Sequence, residues 1–330
     1  MAAQSTIPTP LRDRFERWLE TRQRGAAVAT AAQSADHTVL VDAGWDGQPH
    51  RLVVRLGAPG QFETRWQFLT LQRLGTQLMR PSVPPVLWCE DDSEPLGAPF
   101  FVMARVEGLT TAKYATPYTF ASFITDANTA ERASMQRAVL EQLARVHASV
   151  PSDFAFLDRR RPGETALQAH VRHAAERYEA QSSRGLRAPV IERAFTWLRE
   201  HWPVESGPVL CWGDARIDNV IYRDYNTVAL TGWKRATLGP RELDLGAMVF
   251  HHRFADDLAR SAARPGLPDF LRPADVVATY ADVAGHLPSD LGFYVACAAL
   301  VHAIDTMRTP LRAKAFESLA EALEHDPTGE

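Results

Sequence analysis

The segment Val209–Tyr222 constrains the fold of this chain more than any other stretch. It carries an aspartate, Asp214, and an asparagine five positions later, Asn219, between two short apolar runs. A polar turn at 223–226 and a second apolar run at 228–230 follow. Two short apolar strands around an Asp/Asn turn are typical of a β-hairpin. The segment therefore predicts a hairpin preceded by a loop that turns two polar side chains toward one cleft.

The spacing of Asp214 and Asn219 has the form D-x-x-x-x-N, which is found in the catalytic loops of kinases. In that chemistry the aspartate accepts the proton of the attacking hydroxyl, and the asparagine oxygen holds Mg²⁺ against the phosphates. Asp214 is therefore the candidate catalytic base and Asn219 the candidate metal ligand. Trp212, Arg216 and Asp218 lie on the same loop and are further cleft candidates.

From Leu210 to Gly246 the chain resembles the aminoglycoside phosphotransferase and choline kinase-like family. The bacterial branch of that family reads W-G-D-x-R-x-x-N, then L-D-W-E-x-A-x-L-G-x-P and D-L. The resemblance implies a bilobal α+β fold of the protein kinase type. An N-terminal lobe with an antiparallel sheet would span residues 1–104, and a larger, mainly helical lobe would span 105–330. It also implies that ATP binds between the lobes with Mg²⁺, and that the substrate is a small-molecule alcohol.

Two positions depart from this family pattern. The aspartate of L-D-W-E, the second Mg²⁺ ligand of the family, is replaced by Gly232, and the glutamate is replaced by Lys234. A carboxylate is lost and an ammonium group stands two residues away. Phosphoryl transfer depends on positioning and on neutralising charge with metal, so this loss is expected to cost several kcal/mol of transition-state stabilisation.

The stretch from residue 26 to 56 alternates with period two and predicts antiparallel strands. Arg55 stands where a kinase has its phosphate-contacting lysine; it is either that contact or a solvated cation at a strand end. The stretch 31–38 lacks the glycine that lets backbone N–H groups approach phosphate, and includes Asp36; it is either an altered phosphate loop or an ordinary turn.

A helix is predicted over residues 61–78, and within it Glu63 or Gln67 would orient the phosphate-binding cation. A strand at 99–103 leads into the interlobe hinge of the family, where the backbone of Met103–Val106 would meet the adenine. A plain buried strand is the alternative for this stretch.

Beyond residue 110 the apolar period changes to 3.6, which predicts helices. Asn128 followed by Glu131 indicates a capping box at the start of one of them. His147 near the end of that helix is expected to be structural. Adjacent histidines such as His251 and His252 point in different directions on a helix, which argues against a zinc site. Two acids close behind them either face a cationic substrate or are solvated surface charges: Asp256 and Asp257.

Composition limits the class of protein. The chain has 330 residues, 45% of them hydrophobic and 23% charged, with a net charge of −4, so a globular protein without a nucleic-acid-binding surface is expected. No run approaches the length of a membrane span, and the first residues do not have the pattern of a signal peptide. Three scattered cysteines favour a reducing cytoplasm: Cys89, Cys211 and Cys297. No pattern specifies an oligomeric state.

Three functions are consistent with these residues. The first is an ATP-dependent phosphotransferase, impaired at Gly232, in which Asp214 is the base, Asn219 the remaining metal ligand and Arg55 the phosphate contact. The second is a pseudokinase that binds a small molecule or a partner protein without transfer. The third is a repurposed enzyme that uses Asp214 as a general acid or base without nucleotide. Stabilisation by ATP with Mg²⁺ separates the first from the other two.

Overall fold

The computed structural model describes residues 5–6, 9–34, 37–57, 63–77, 83–111, 116–183 and 185–324. Two predicted stretches extend outside these ranges: residues 35 and 36 of the stretch 31–38, and residues 61, 62 and 78 of the helix predicted over 61–78. None of the described helices is both long enough and apolar enough to cross a membrane.

The described residues divide into two compact units that are discontinuous in sequence. The first comprises residues up to Leu109 together with Ile221–Arg223 and Val228–Lys234; the second comprises Thr110–Val220, Asp224–Thr227 and the residues from Arg235 onward. A single domain boundary at residue 104 stays a prediction.

A six-stranded antiparallel sheet forms most of the first unit, with strand order β1-β2-β3-β4-β6-β5. The predicted antiparallel sheet is thus confirmed. Two helices accompany it, α1 and α2. The elements are β1 Ser5–Thr6, α1 Thr9–Arg22, β2 Ala27–Gln33, β3 Thr38–Trp45, β4 Gln48–Leu56, α2 Glu63–Gln77, β5 Val86–Glu90 and β6 Phe100–Ala104.

The core of this sheet follows from alternation along its strands. In β3 every second side chain is buried, and those of Val39 and Val41 are almost fully inaccessible. Because side chains on a strand point alternately to opposite faces, these residues share one face. Trp18 and Leu19 of α1 lie in the same apolar cluster. Phe100 of β6 completes an edge-to-face contact with Trp18, with 4.7 Å between ring centroids.

The second unit is mainly helical, as the change of period predicts. Four short strands form two small two-stranded sheets, in which β7 pairs with β10 and β8 pairs with β9. Residues of the β8–β9 sheet belong partly to the first unit and partly to the second. The elements are α3 Phe123–Asp126, α4 Thr129–His147, α5 Ala166–Ser182, α6 Pro189–Glu200, β7 Val209–Cys211, β8 Val220–Arg223, β9 Asn226–Leu230, β10 Thr237–Gly239, α7 Glu242–Ser261, α8 Pro273–Ala284, α9 Leu291–Thr306 and α10 Arg312–Glu324.

Local sequence signals account for several of these boundaries. The capping box predicted for α4 is present: the Asn128 side chain accepts from the Glu131 N–H at 3.0 Å, and the Glu131 carboxylate accepts from the Asn128 N–H at 2.7 Å. The predicted hairpin is also present as β8 and β9. Asp224 and Tyr225, which connect the two strands, both have positive φ, as the favoured two-residue hairpin turns require.

Helix α7 runs from Glu242 to Ser261 and carries the adjacent histidines His251 and His252. It packs closely against α9, since a Cβ atom on Gly246 would overlap the backbone of Tyr294. Within its last turns Asp256 is buried, and its carboxylate accepts the Leu267 N–H at 2.6 Å. The interpretation of Asp256 as a solvated surface charge is therefore wrong.

Candidate active site

Asp214 lies on the loop between β7 and β8, in the second unit, with 19% of its side chain exposed. Its Oδ2 accepts a hydrogen bond from Asn219 Nδ2 at 2.9 Å and one from Arg216 Nη2 at 3.2 Å. Asn219 Nδ2 also donates to the Asp214 backbone carbonyl at 2.9 Å. The spacing of five residues therefore lets a single amide group close the loop on itself.

The two carboxylate oxygens of Asp214 differ in their partners. Oδ2 accepts two hydrogen bonds, whereas Oδ1 lies 3.2 Å from Arg216 Nε as an ion pair. Among the residues that the structure describes, none donates a hydrogen bond to Oδ1. Oδ1 is thus the oxygen with the capacity to accept a proton from a ligand hydroxyl.

The backbone of this loop is held by a buried carboxylate, Asp244 of α7. Asp244 Oδ2 accepts the Trp212 N–H at 2.6 Å, and Oδ1 accepts the Gly213 N–H at 2.8 Å. His147 Nε2 lies 3.0 Å from Asp244 Oδ2, and the Tyr280 hydroxyl lies 2.6 Å from His147 Nδ1. Asp244 is fully inaccessible, so each of these hydrogen bonds is made without competition from water.

His147, Cys211 and Asp244 have side-chain atoms within 4.8 Å of one another, a spacing that a metal ion could use. Their hydrogen bonds give a different account of the cluster. Cys211 Sγ donates toward the carbonyls of Gly239 and Pro240, and burial together with the neighbouring Asp244 raises the pKa of its thiol far above the usual value. In this structure the cluster is a hydrogen-bonded support for the loop. His147 is structural, as expected.

Gly213 is required by the geometry of the turn before Asp214. Its φ is +80°, in the left-handed region, and a Cβ atom at this position would overlap the carbonyl oxygen of Arg235. Only glycine avoids both the backbone strain and the overlap. The glycine before the aspartate is therefore what lets the chain bend between β7 and the Asp214 loop.

The other loop candidates take different positions. Trp212 is fully buried, and it serves the loop through its backbone N–H. Asp218 Oδ1 accepts a hydrogen bond from Thr111 Oγ1 at 2.7 Å, and the Asp218 carbonyl accepts one from Thr110 Oγ1 at 3.3 Å. These contacts tie the loop to the segment that begins the second unit. The structure thus brings Asp214, Arg216 and Asn219 together and gives Asp218 a separate set of partners.

The remaining candidates lie in the first unit. Gly232 follows β9 with a φ of +77°, and Lys234 lies in the short 3₁₀ turn Trp233–Arg235. The Lys234 ammonium lies 3.4 Å from Glu63 Oε2, with 62% of the Lys234 side chain and 37% of the Glu63 side chain exposed. Glu63, which begins α2, is the residue expected to orient a phosphate-binding cation, and its partner in the structure is Lys234.

Arg55 lies near the end of β4, opposite Thr38 of β3, and its guanidinium donates a hydrogen bond to Thr38 Oγ1. Met103 lies in β6, paired with Val53, and its side chain is half-buried. Val106 lies two residues beyond the end of β6 and is half-buried as well. Contacts of these three residues with a nucleotide stay predictions.

Several ionisable groups near the Asp214 loop were not predicted as functional. His302 of α9 is buried, which lowers its pKa to about 4, with Asp305 opposing and Arg216 and Arg235 reinforcing the shift. His251 of α7 lies 5.5 Å away between ring centroids, and burial with Arg216 lowers its pKa well below the usual value. Asp305 accepts from Arg235 at 2.6 Å and from Arg177 at 2.7 Å. Because their pKa values are lowered, the imidazoles of His302 and His251 are neutral at physiological pH.

His251, His302 and Asp305 belong to no local sequence motif, and only the packing of the helices brings them together. Asp244 stands within the family-like segment but has no separate spacing signal. His302 and Asp305 share one face of α9 at an i, i+3 spacing, which marks a common face without indicating what it meets.

Residues 28–276 match the sequence profile of a family described as the phosphotransferase enzyme family. Among curated proteins, acyl-CoA dehydrogenase family member 10 of Mus musculus is 27% identical over 159 residues, which are 48% of this chain and 14% of the mouse protein. The chain therefore spans about a seventh of the length of that relative.

Solved structures of phosphotransferases share this fold. A Ralstonia eutropha JMP134 protein described as an aminoglycoside phosphotransferase has a TM-score of 0.67 at 18% identity, with 94% of each chain covered. A thermostable variant of aminoglycoside phosphotransferase APH(4)-Ia, bound to ADP and hygromycin B, has a TM-score of 0.61 at 15% identity, covering 93% of this chain and 97% of that one. Macrolide 2'-phosphotransferase MphH of Brachybacterium faecium has a TM-score of 0.58 at 18% identity, covering 93% and 98%. The predicted kinase-like α+β fold is confirmed.

Proposed function

Because the chain belongs to the phosphotransferase enzyme family, we propose that it transfers the terminal phosphoryl group of ATP to a hydroxyl group of a small molecule. The observation that carries this proposal is the pair formed by Asp214 and Asn219. The pair is held at 2.9 Å on a loop whose backbone is anchored by a buried carboxylate.

The chemistry follows from the unequal oxygens of Asp214. Oδ2 is held by Asn219 and Arg216, which fixes the plane of the carboxylate. Oδ1 receives no hydrogen bond from a described residue, so an acceptor hydroxyl can donate to it. As the oxygen of that hydroxyl attacks the terminal phosphorus, its proton passes to Asp214 Oδ1, and the bond between that phosphorus and the bridging oxygen breaks so that ADP leaves. Positioning of this kind supplies much of the acceleration in phosphoryl transfer.

An adenine nucleotide is supported as the donor by the relatives. APH(4)-Ia has been solved with ADP and hygromycin B, and with AMP-PNP and hygromycin B. For this chain we assign Arg55 as a phosphate contact and the backbone of Met103–Val106 as the adenine contact. A small hydroxyl compound is the proposed acceptor.

The residues present do not fit a magnesium ion held by two protein ligands. The amide nitrogen of Asn219 is used on Asp214, so its side-chain oxygen is the atom that would bind metal. Gly232 has no side-chain oxygen, and Lys234 brings a positive charge. Mg²⁺ usually takes one or two carboxylates from a protein in addition to phosphate oxygens.

A second candidate function is binding of nucleotide or another small molecule without transfer. The observation that favours it is the Lys234–Glu63 ion pair, because Lys234 stands where the family pattern has a glutamate. The two candidates agree on binding and differ on turnover.

Thermal unfolding with ATP tests whether the bound ligand is a nucleotide. A ligand present at one hundred times its dissociation constant stabilises a protein by about 2.7 kcal/mol. We expect an upward shift of the unfolding temperature with ATP and a smaller one with adenosine. Equal unfolding temperatures with and without millimolar ATP would contradict the nucleotide assignment, and would leave Asp214 as an acid or base toward another ligand.

A further inference from the structure

Lys234 and Glu63 form an ion pair within the first unit. Their charged atoms lie 3.4 Å apart, between the turn that follows β9 and the first residue of α2. Every interaction of Glu63 that the structure describes is with Lys234. Helix α2 is the first helix after β4 in chain order, and β4 carries Arg55. Arg55 itself donates to Thr38 Oγ1 on the neighbouring strand.

In protein kinases a strand lysine contacts the phosphates, and a helix glutamate orients that lysine through an ion pair. In this chain the glutamate at the start of α2 orients a cation that belongs to another segment. The cation paired with glutamate is therefore Lys234, while the strand cation Arg55 is bonded to its strand neighbour. The arrangement keeps the glutamate and pairs it with a second cation, in addition to the phosphate contact assigned to Arg55.

Lys234 follows β9, which ends at Leu230. β8 starts at Val220, directly after Asn219. Because the two strands of a hairpin run in opposite directions, the chain leaves β9 at the end of the hairpin where it enters β8. Lys234 follows β9 at that end.

The chemistry of an ammonium suits this position. Lysine is a compact charge with three N–H donors, and the contact of Lys234 with the Glu63 carboxylate is an ion pair at 3.4 Å. With 62% of its side chain exposed, Lys234 has donors available for the oxygens of a ligand. Gly232, two residues earlier, has no side chain that would compete for the same space.

We infer that Lys234, oriented by Glu63, binds the phosphates of the nucleotide. Its ammonium group supplies positive charge that, in the family pattern, comes from a metal ion bound by a carboxylate at position 232. This inference rests on the proposed function. It predicts a nucleotide site that depends less on divalent metal than the family pattern does.

The test is a calorimetric titration of ATP, ADP and adenosine, each in Mg²⁺ and in EDTA. The natural protein is expected to bind ATP in EDTA with an affinity within about threefold of that in Mg²⁺, which is less than 1 kcal/mol. Lys234→Met is expected to weaken ATP binding at least about tenfold in both buffers, the cost of a lost charge-assisted contact. Its affinity for adenosine should be unchanged, because adenosine has no phosphates.

Matched variants separate phosphate binding from a structural role. Lys234→Arg should retain most of the ATP affinity, and Glu63→Gln should lose part of it because the ammonium is no longer held. Lys314→Met removes another ion-paired lysine, in α10 of the second unit, and should leave the affinity unchanged. Thermal unfolding of each variant shows whether it is folded.

The outcomes distinguish this inference from the proposed function. If the natural protein binds ATP and Lys234→Met binds it equally well, Lys234 is not a phosphate contact and the inference alone is overturned. If ATP affinity collapses in EDTA, a metal and not Lys234 neutralises the phosphates. If the natural protein binds no ATP in either buffer, the proposed function fails as well.

Discussion

The side-chain amide of Asn219 donates a hydrogen bond to the carboxylate of Asp214, with 2.9 Å between Nδ2 and Oδ2. The same nitrogen donates to the Asp214 carbonyl, so one side chain fixes both the backbone and the carboxylate. The proposed base is therefore oriented before any ligand arrives, and its second oxygen remains available for a hydroxyl proton.

Replacing that base should abolish turnover without unfolding the protein. Asp214→Asn is nearly isosteric and keeps an oxygen for Asn219, but it removes the group that accepts the proton. We expect turnover to fall at least about a hundredfold, the usual contribution of a positioned base. Asp224→Asn, in the exposed hairpin turn, is the matched control, because asparagine tolerates the positive φ there. Activity of Asp214→Asn within a few-fold of the natural protein would remove Asp214 from the mechanism.

The turn at Gly213 should be far less tolerant of substitution than an open glycine with the same backbone conformation. Gly213 and Gly163 both have φ of +80°, but only at Gly213 would a Cβ atom overlap another backbone, that of Arg235. Gly163→Ala is expected to cost about 1–2 kcal/mol of unfolding free energy, from the left-handed conformation alone. Gly213→Ala should cost clearly more and should also lower turnover. Urea unfolding of both variants measures the difference, and equal costs would show that the overlap relaxes freely.

Buried histidines should make stability depend on acid. Burial lowers the pKa of His302 to about 4 and that of His170 to about 4, below the usual value of 6.5. Between about pH 4 and pH 6.5 these histidines bind more protons in the unfolded chain than in the folded chain. The free energy of unfolding therefore falls as pH falls from about 6.5 toward 4. His302→Asn should reduce the slope of unfolding free energy against pH in that range. An unchanged slope in urea titrations at several pH values would show that His302 protonates equally in both states.

Restoring the family carboxylates should make nucleotide binding depend on metal. Gly232 has a φ of +77°, a conformation that aspartate tolerates better than most residues, so Gly232→Asp is structurally feasible. Combined with Lys234→Glu, it replaces one cation and a missing side chain with two carboxylates. The double variant should bind ATP in Mg²⁺ and lose that binding in EDTA. The matched control, Gly232→Ala with Lys234→Glu, also places a side chain in the left-handed region but brings no metal ligand at position 232, and should bind ATP weakly in both buffers. Equal Mg²⁺ dependence in the two variants would contradict the role given to position 232.

Local signals account for what the sequence predicts correctly. The capping box of α4 depends on two residues three apart, and the hairpin of β8 and β9 depends on a short turn between apolar runs. Both are decided by neighbours along the chain, so a single sequence contains the information. The Asp214–Asn219 hydrogen bond belongs to the same class, because a spacing of five residues closes it.

Other features depend on residues distant in sequence. Strand β10 has three residues and exists because it pairs with β7, which no local pattern indicates. The Lys234–Glu63 ion pair joins a turn after β9 to the start of α2. The sequence predicted Glu63 only as a partner for the phosphate-binding cation of the strand, Arg55. Burial of Asp244 and Asp256 likewise follows from packing, since a carboxylate in a sequence gives no sign of the N–H groups that surround it.

The most direct test of the account is whether a phosphate ester is formed. The purified protein would be incubated with ATP, Mg²⁺ and individual hydroxyl compounds, including aminoglycosides, macrolides and small amino alcohols, and the products analysed by mass spectrometry. The account predicts that at least one compound gains a phosphoryl group with stoichiometric formation of ADP, and that Asp214→Asn yields neither product. ATP that binds but remains unconsumed with every compound, in the natural protein as in Asp214→Asn, would contradict phosphoryl transfer and identify the protein as a binding module.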